Sequence, residues 1–141
     1  MPEDDVHTPT IQPTDPRFRD VPFDSGDFTA EGGGSWTVEA GDVLQFRYAV
    51  LGKLMFVWLT LSGTQLVGGV DSLNVKIPNG RKAKVASVQP AVASSGDIVF
   101  RSYPSTRCHT EAGSDQLTFV NALEGWNTPV YLAGMFAFEI R

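Results

Sequence analysis

The segment from Ser35 to Ser62, SWTVEAGDVLQFRYAVLGKLMFVWLTLS, constrains the fold more than any other stretch of this chain. It predicts a short strand, a turn at Ala40-Gly41-Asp42, and two long strands folded about Gly52-Lys53. Leu44, Phe46, Tyr48 and Val50 alternate with Gln45, Arg47 and Ala49, the period-2 pattern of a strand with one buried face. Leu54 to Leu61 is apolar almost throughout, which predicts a strand covered on both faces with Trp58 in the core. A hairpin this apolar must find a second layer to bury against, and that requirement points to stacked sheets.

The remaining sequence is punctuated at strand-like intervals. Val21–Phe23 and Phe28–Glu31 flank a turn at Ser25-Gly26, and Gly32-Gly33-Gly34 makes a corner. Leu73 to Ile77 alternates and stops at Pro78-Asn79-Gly80, a strong turn signal. Lys84–Val88, Ala91–Ala93, Ile98–Tyr103 and Leu117–Val120 follow as shorter strands. Val130, Leu132, Phe136, Phe138 and Ile140 share one face of a closing strand. Eight or more strands without a helix predict an all-β, antiparallel β-sandwich, specifically a jelly roll. Its body spans residues 21–141, behind an extended arm over residues 1–20.

Charge separates arm from body. Residues 1–34 hold eight acids against Arg17 and Arg19, a balance of −6, and residues 35–141 hold eight acids against nine bases, a balance of +1. Five of the nine prolines (Pro2, Pro9, Pro13, Pro16 and Pro22) fall in the first segment and exclude helix there. Such a segment is extended unless something holds it. A neighbouring subunit is one holder; the chain's own sandwich, with Phe18 and Phe23 as pins, is the other. The bases of Lys76, Arg81, Lys82 and Lys84 are too few for the concentrated basic face that nucleic acid requires, and read as a solvated or protein-contact patch. No run of eighteen apolar residues predicts a membrane span, and the acidic start is unlike a secretory leader.

Few residue patterns suggest chemistry. Cys108 is the single cysteine, and its neighbour His109 points to the opposite face of any strand that holds both, so the two suit a nucleophile and base poorly. His7, His109 and Cys108 are too sparse for a metal site, and Gly32–Gly34 lacks the Lys and Ser or Thr of a phosphate loop. The acids of the body mostly adjoin Gly or Ser, as turn residues do. The expectation is a protein with no enzymatic activity, catalytic residue, metal or cofactor. Tyr103, before Pro104, and Trp126, in the polar loop Glu124–Pro129, offer exposed rings for an oligomer contact or for stacking on a sugar.

One family resemblance joins these features. Phe28-Thr29-Ala30, Ser35-Trp36-Thr37-Val38 with Gly41-Asp42-Val43, Tyr48 to Val57, Leu73 to Gly80, and Phe136 to Ile140 together resemble β-sandwich domains of tailed-bacteriophage virion proteins. The resemblance implies a virion structural protein, assembled in the host cytoplasm, forming homo-oligomers such as trimers and contacting the major capsid protein. Without a fibrous shaft, such a chain suits capsid decoration or cementing. The alternative is a glycan-recognising module of a tail or head fibre. In the first reading Glu3, Asp4 and Asp5 meet a basic surface that includes Lys82 and Lys84 of a neighbour, with Phe18 and Phe23 as further assembly contacts.

Overall fold

A computed structural model describes residues 17–96, 101–121 and 126–141. Its strands are β1 (Arg19–Asp20), β2 (Phe28–Glu31), β3 (Ser35–Thr37), β4 (Val43–Leu51), β5 (Leu54–Val67) and β6 (Ser72–Lys76). Then follow β7 (Ser87–Pro90), β8 (Val92–Ser95), β9 (Arg101–Ser102), β10 (Arg107–Thr110), β11 (Gln116–Val120) and β12 (Val130–Glu139). The larger sheet has the order β1-β4-β5-β12-β8-β9 with β3 on the far half of β5, and the smaller one is β2-β6-β11-β10-β7. All the pairings are antiparallel, and the two sheets pack as a β-sandwich. Strands β5·β12, β6·β11, β7·β10 and β8·β9 are nested pairs, the order that a long hairpin doubled on itself produces.

The central hairpin forms where the sequence places it. Gly52 adopts φ 61° at the turn, a conformation that costs glycine nothing. From there the two strands run in register from Leu51↔Leu54 to Gln45↔Thr60. The inner face is a continuous apolar layer of Met55, Val57, Leu59 and Leu61, packed against Leu73, Val75, Leu117 and Phe119 of the smaller sheet and Phe136 of β12. Gly134 on β12 leaves room for the Phe136 ring; a Cβ there would lie 2.4 Å from its Cζ.

Several polar groups inside the sandwich are paired across strands. The Trp36 indole donates to Thr64 Oγ1 at 2.8 Å, and that hydroxyl donates to the Val130 carbonyl, which ties β3, β5 and β12 together. Gln89 reaches across from the smaller sheet, donating to the Ala137 carbonyl at 2.7 Å and accepting from the Ala137 amide at 3.0 Å. Its side chain serves as a one-residue substitute strand beyond the end of β8, satisfying backbone groups that would otherwise be left on an open edge.

Several expectations need correction. Leu54–Leu61 is fully covered on one face only, because a two-layer sandwich has a single interior and, among the described residues, only Phe18 at one edge reaches across the outer face to Trp58. Trp58, expected in the core, is 38% exposed. Leu44 sits at a bulge where the register shifts between Val43 and Gln45, so it leaves the buried face and is 66% exposed. The strand expected over Lys84–Val88 lies instead at Ser87–Pro90, and the next at Val92–Ser95. Arg107–Thr110, absent from the strands expected from the sequence, is a strand between β7 and β11. Val21 makes one edge bond to Phe46, but Val21–Phe23 is no strand. Ile98 and Phe100 lie outside the described residues, as does all of the arm before Arg17.

Candidate assembly surfaces

Two surfaces stand out, and the first is the outer face of the larger sheet. Strand register sets Arg47, Trp58 and Met135 in one row, Ala49, Phe56 and Ala137 in the next, and Leu51, Leu54 and Glu139 in the last. Across β12, Ala133 meets Val92 of β8. Leu54, Trp58, Val92 and Met135 are all exposed, and Met135 reaches 52%. None of these four belongs to the core cluster. An antiparallel sheet that faces water on one side normally carries polar residues there, so an apolar outer face is a candidate contact surface.

The arm's last residues bound this face. β1 pairs with β4 at Arg19↔Tyr48 and Asp20↔Arg47, so the end of the expected arm is an edge strand of the sandwich. The Phe18 ring meets Trp58 edge-on at 6.2 Å, with the Arg47 guanidinium 5.8 Å from its centroid. Counting back along the register puts Phe18 beside Ala49, which is fully buried although it lies outside the core cluster. Arg47 Nε lies 3.4 Å from Asp20 Oδ1, near enough for charge attraction but without a formed hydrogen bond. Phe23 stacks on the core ring of Phe28 at 6.3 Å and stays partly exposed. Both phenylalanines therefore contact the chain's own sandwich, while the arm before Arg17 lies outside the described residues.

The second surface is basic. Lys53, Arg81, Lys84, Ile140 and Arg141 line an open depression at one end of the sandwich. Backbone bonds build it: Ile140 donates to the Lys53 carbonyl, Lys84 to Glu139, and Arg141 to Lys82. Arg81 donates through its guanidinium to the Arg141 carbonyl at 2.8 and 3.1 Å. Lys82 and Lys84, singled out from the sequence, thus gain Lys53 and Arg141 as neighbours. Sequence proximity could not find those two, which lie about 30 and 60 residues away. Lys76 is not among them: its charge acts on Asp27, whose carboxyl is nonetheless raised by burial and by Asp24. Glu3, Asp4 and Asp5 lie outside the described residues.

Tyr103 and Trp126 come together, but not at the surface. They are 1% and 6% exposed and meet edge-on at 5.2 Å. The Tyr103 hydroxyl lies 2.7 Å from Ser95 Oγ and accepts from the Asn127 amide at 3.1 Å. Bonded to its own fold, this pair offers no exposed ring for a sugar. A two-residue turn at Pro104–Ser105 folds Tyr103 inward, an outcome that a polar loop composition conceals.

Cys108 and His109 point to opposite sides of β10, with Cys108 fully buried. Burial pushes the thiol up to about 12, so it stays protonated and unreactive at neutral pH. Among the described residues no three of His, Cys, Asp and Glu gather closely enough to hold a metal ion. No family model, no curated protein and no solved structure matches the chain.

Proposed function

We propose that this protein is a non-enzymatic structural subunit of a bacteriophage virion, a capsid decoration or cement protein or another capsid-attached accessory protein. The observation that supports an assembly role is the apolar outer face of the larger sheet, with Trp58 and Met135 at its centre. The virion setting comes from the sequence resemblance. Identical sandwiches would meet one another or a capsid lattice through this face, giving a symmetric contact that excludes water around Trp58. On a lattice, many copies of a modest contact sum to stable attachment.

Two measurements test the two halves of this reading. Sedimentation velocity should show concentration-dependent oligomers of the full chain that Met135→Glu converts to monomer. A full chain that stays monomeric at every concentration would remove self-assembly. Electron microscopy of virions with the protein immunolabelled should place it on the capsid lattice; its absence from purified virions would remove the virion setting.

A further inference from the structure

We infer that the basic depression at the end of the sandwich is a docking site for an acidic peptide, and that its occupant is the protein's own segment Glu3-Asp4-Asp5, in the same chain. This goes beyond the assembly reading, which placed those acids on a neighbouring subunit, and it holds or fails whether or not the outer face mediates assembly.

The first support is charge. The body from residue 35 onward balances at only +1, yet five of its nine bases, Lys53, Arg81, Lys82, Lys84 and Arg141, gather at this one end. Among the described residues none of them has a side-chain carboxylate within ion-pair distance. A concentration of like charge of this kind lowers stability unless an anion answers it. The arm supplies one: Glu3, Asp4 and Asp5 are consecutive, in a segment with no Lys or Arg before Arg17.

The second support is the path of the chain. β1 runs antiparallel to β4, with Arg19 opposite Tyr48. Counting back sets Arg17 beside Val50, so the arm leaves the sandwich toward the Gly52-Lys53 turn. Lys53 is itself a wall of the depression, joined through its carbonyl to Ile140. The arm is thus delivered to the site it complements. Eleven residues separate Asp5 from Arg17, a reach of up to about 40 Å when extended. A tether that short holds the acids near the depression at a millimolar-scale effective concentration, above what a separate copy supplies in dilute solution.

Each ion pair at such an exposed site is weak and screened by salt. Three acids facing the four lining bases, with Lys82 close by, act together, so the docked arm is predicted to be held at low ionic strength and released at high.

The experiment is carbodiimide cross-linking of the full chain, prepared as an equal mixture of isotopically heavy and light protein and read by mass spectrometry. The expected result is amide links from Glu3, Asp4 or Asp5 to Lys53, Lys82 or Lys84, joining only heavy to heavy and light to light, with yield falling several-fold at high salt. Links that join heavy to light peptides would overturn the same-chain assignment in favour of a second copy. No link between these residues would overturn the site. The double variant Arg81→Gln with Arg141→Gln leaves every lysine in place, and should lower the yield several-fold while circular dichroism stays unchanged. An unaltered yield in that folded variant would mean the arm is merely near the lysines, and would overturn recognition by the depression.

Discussion

The two faces of β5 are built from the same kinds of residue and meet opposite fates. Met55, Val57, Leu59 and Leu61 are buried against the smaller sheet, while Leu54 and Trp58, on alternate positions, face outward. Composition does not distinguish them. What differs is whether a second layer exists on that side. A strand can therefore be apolar throughout for two reasons, stability on one face and association on the other, and substitutions should separate the two.

The largest expected effect is on the inner face. Leu59→Ala should lower unfolding stability by about 2–5 kcal/mol, read from a denaturant midpoint, because the removed methyls leave a cavity between packed sheets. A loss below about 1 kcal/mol would mean that the interior collapses around the gap and that the inner face is less rigidly packed than described.

The tryptophans sharpen the contrast next. Trp36→Phe removes a buried hydrogen bond and leaves Thr64 short of a donor, whereas the Trp126 indole nitrogen has no partner to lose. Trp36→Phe should therefore cost about 1–2 kcal/mol more than Trp126→Phe in the same melt. Equal costs would show that ring volume alone matters at both sites.

The smaller sheet gives a related test at Cys108. Its thiol is raised from an ordinary 9.0 to about 12, so the folded state disfavours the thiolate. The stabilisation is fully present below pH 9 and is lost as pH climbs from 9 toward 12, at about 1.4 kcal/mol per pH unit. Chemical denaturation on either side of pH 9 should show this slope, and Cys108→Ala should flatten it. A slope that survives the substitution would assign the alkaline loss to other groups.

The smallest effect belongs to the outer face. Met135→Thr should change monomer stability by no more than about 0.5 kcal/mol, since half of the side chain is already in water. A cost comparable to that of Leu59→Ala would break the distinction between the faces.

Legibility in the sequence followed the strength of local signals. The β4–β5 hairpin was readable because its alternation flanks Gly52, and β6, β11 and β12 because theirs is bounded by turns. Arg107–Thr110 was not, since Arg-Cys-His-Thr has no apolar alternation and owes its strand state to the partners on both sides. Trp58 and Trp126 were read the wrong way round for one reason: exposure was judged from neighbours in sequence. Trp58 sits among apolar residues on an open face, and Trp126, with polar neighbours in sequence, packs edge-on against buried Tyr103.

The sequence by itself determined the class of fold, the central hairpin and the uneven split of charge between residues 1–34 and the rest of the chain. Those are properties of local periodicity and of summed charge, which survive without knowledge of contacts. Only the tertiary structure decided which face of β5 stays open, that Tyr103 and Trp126 are interior, and that Lys53 and Arg141 join Arg81, Lys82 and Lys84 at one end. Those depend on strands far apart in the chain becoming neighbours, and no local pattern encodes how two sheets stack.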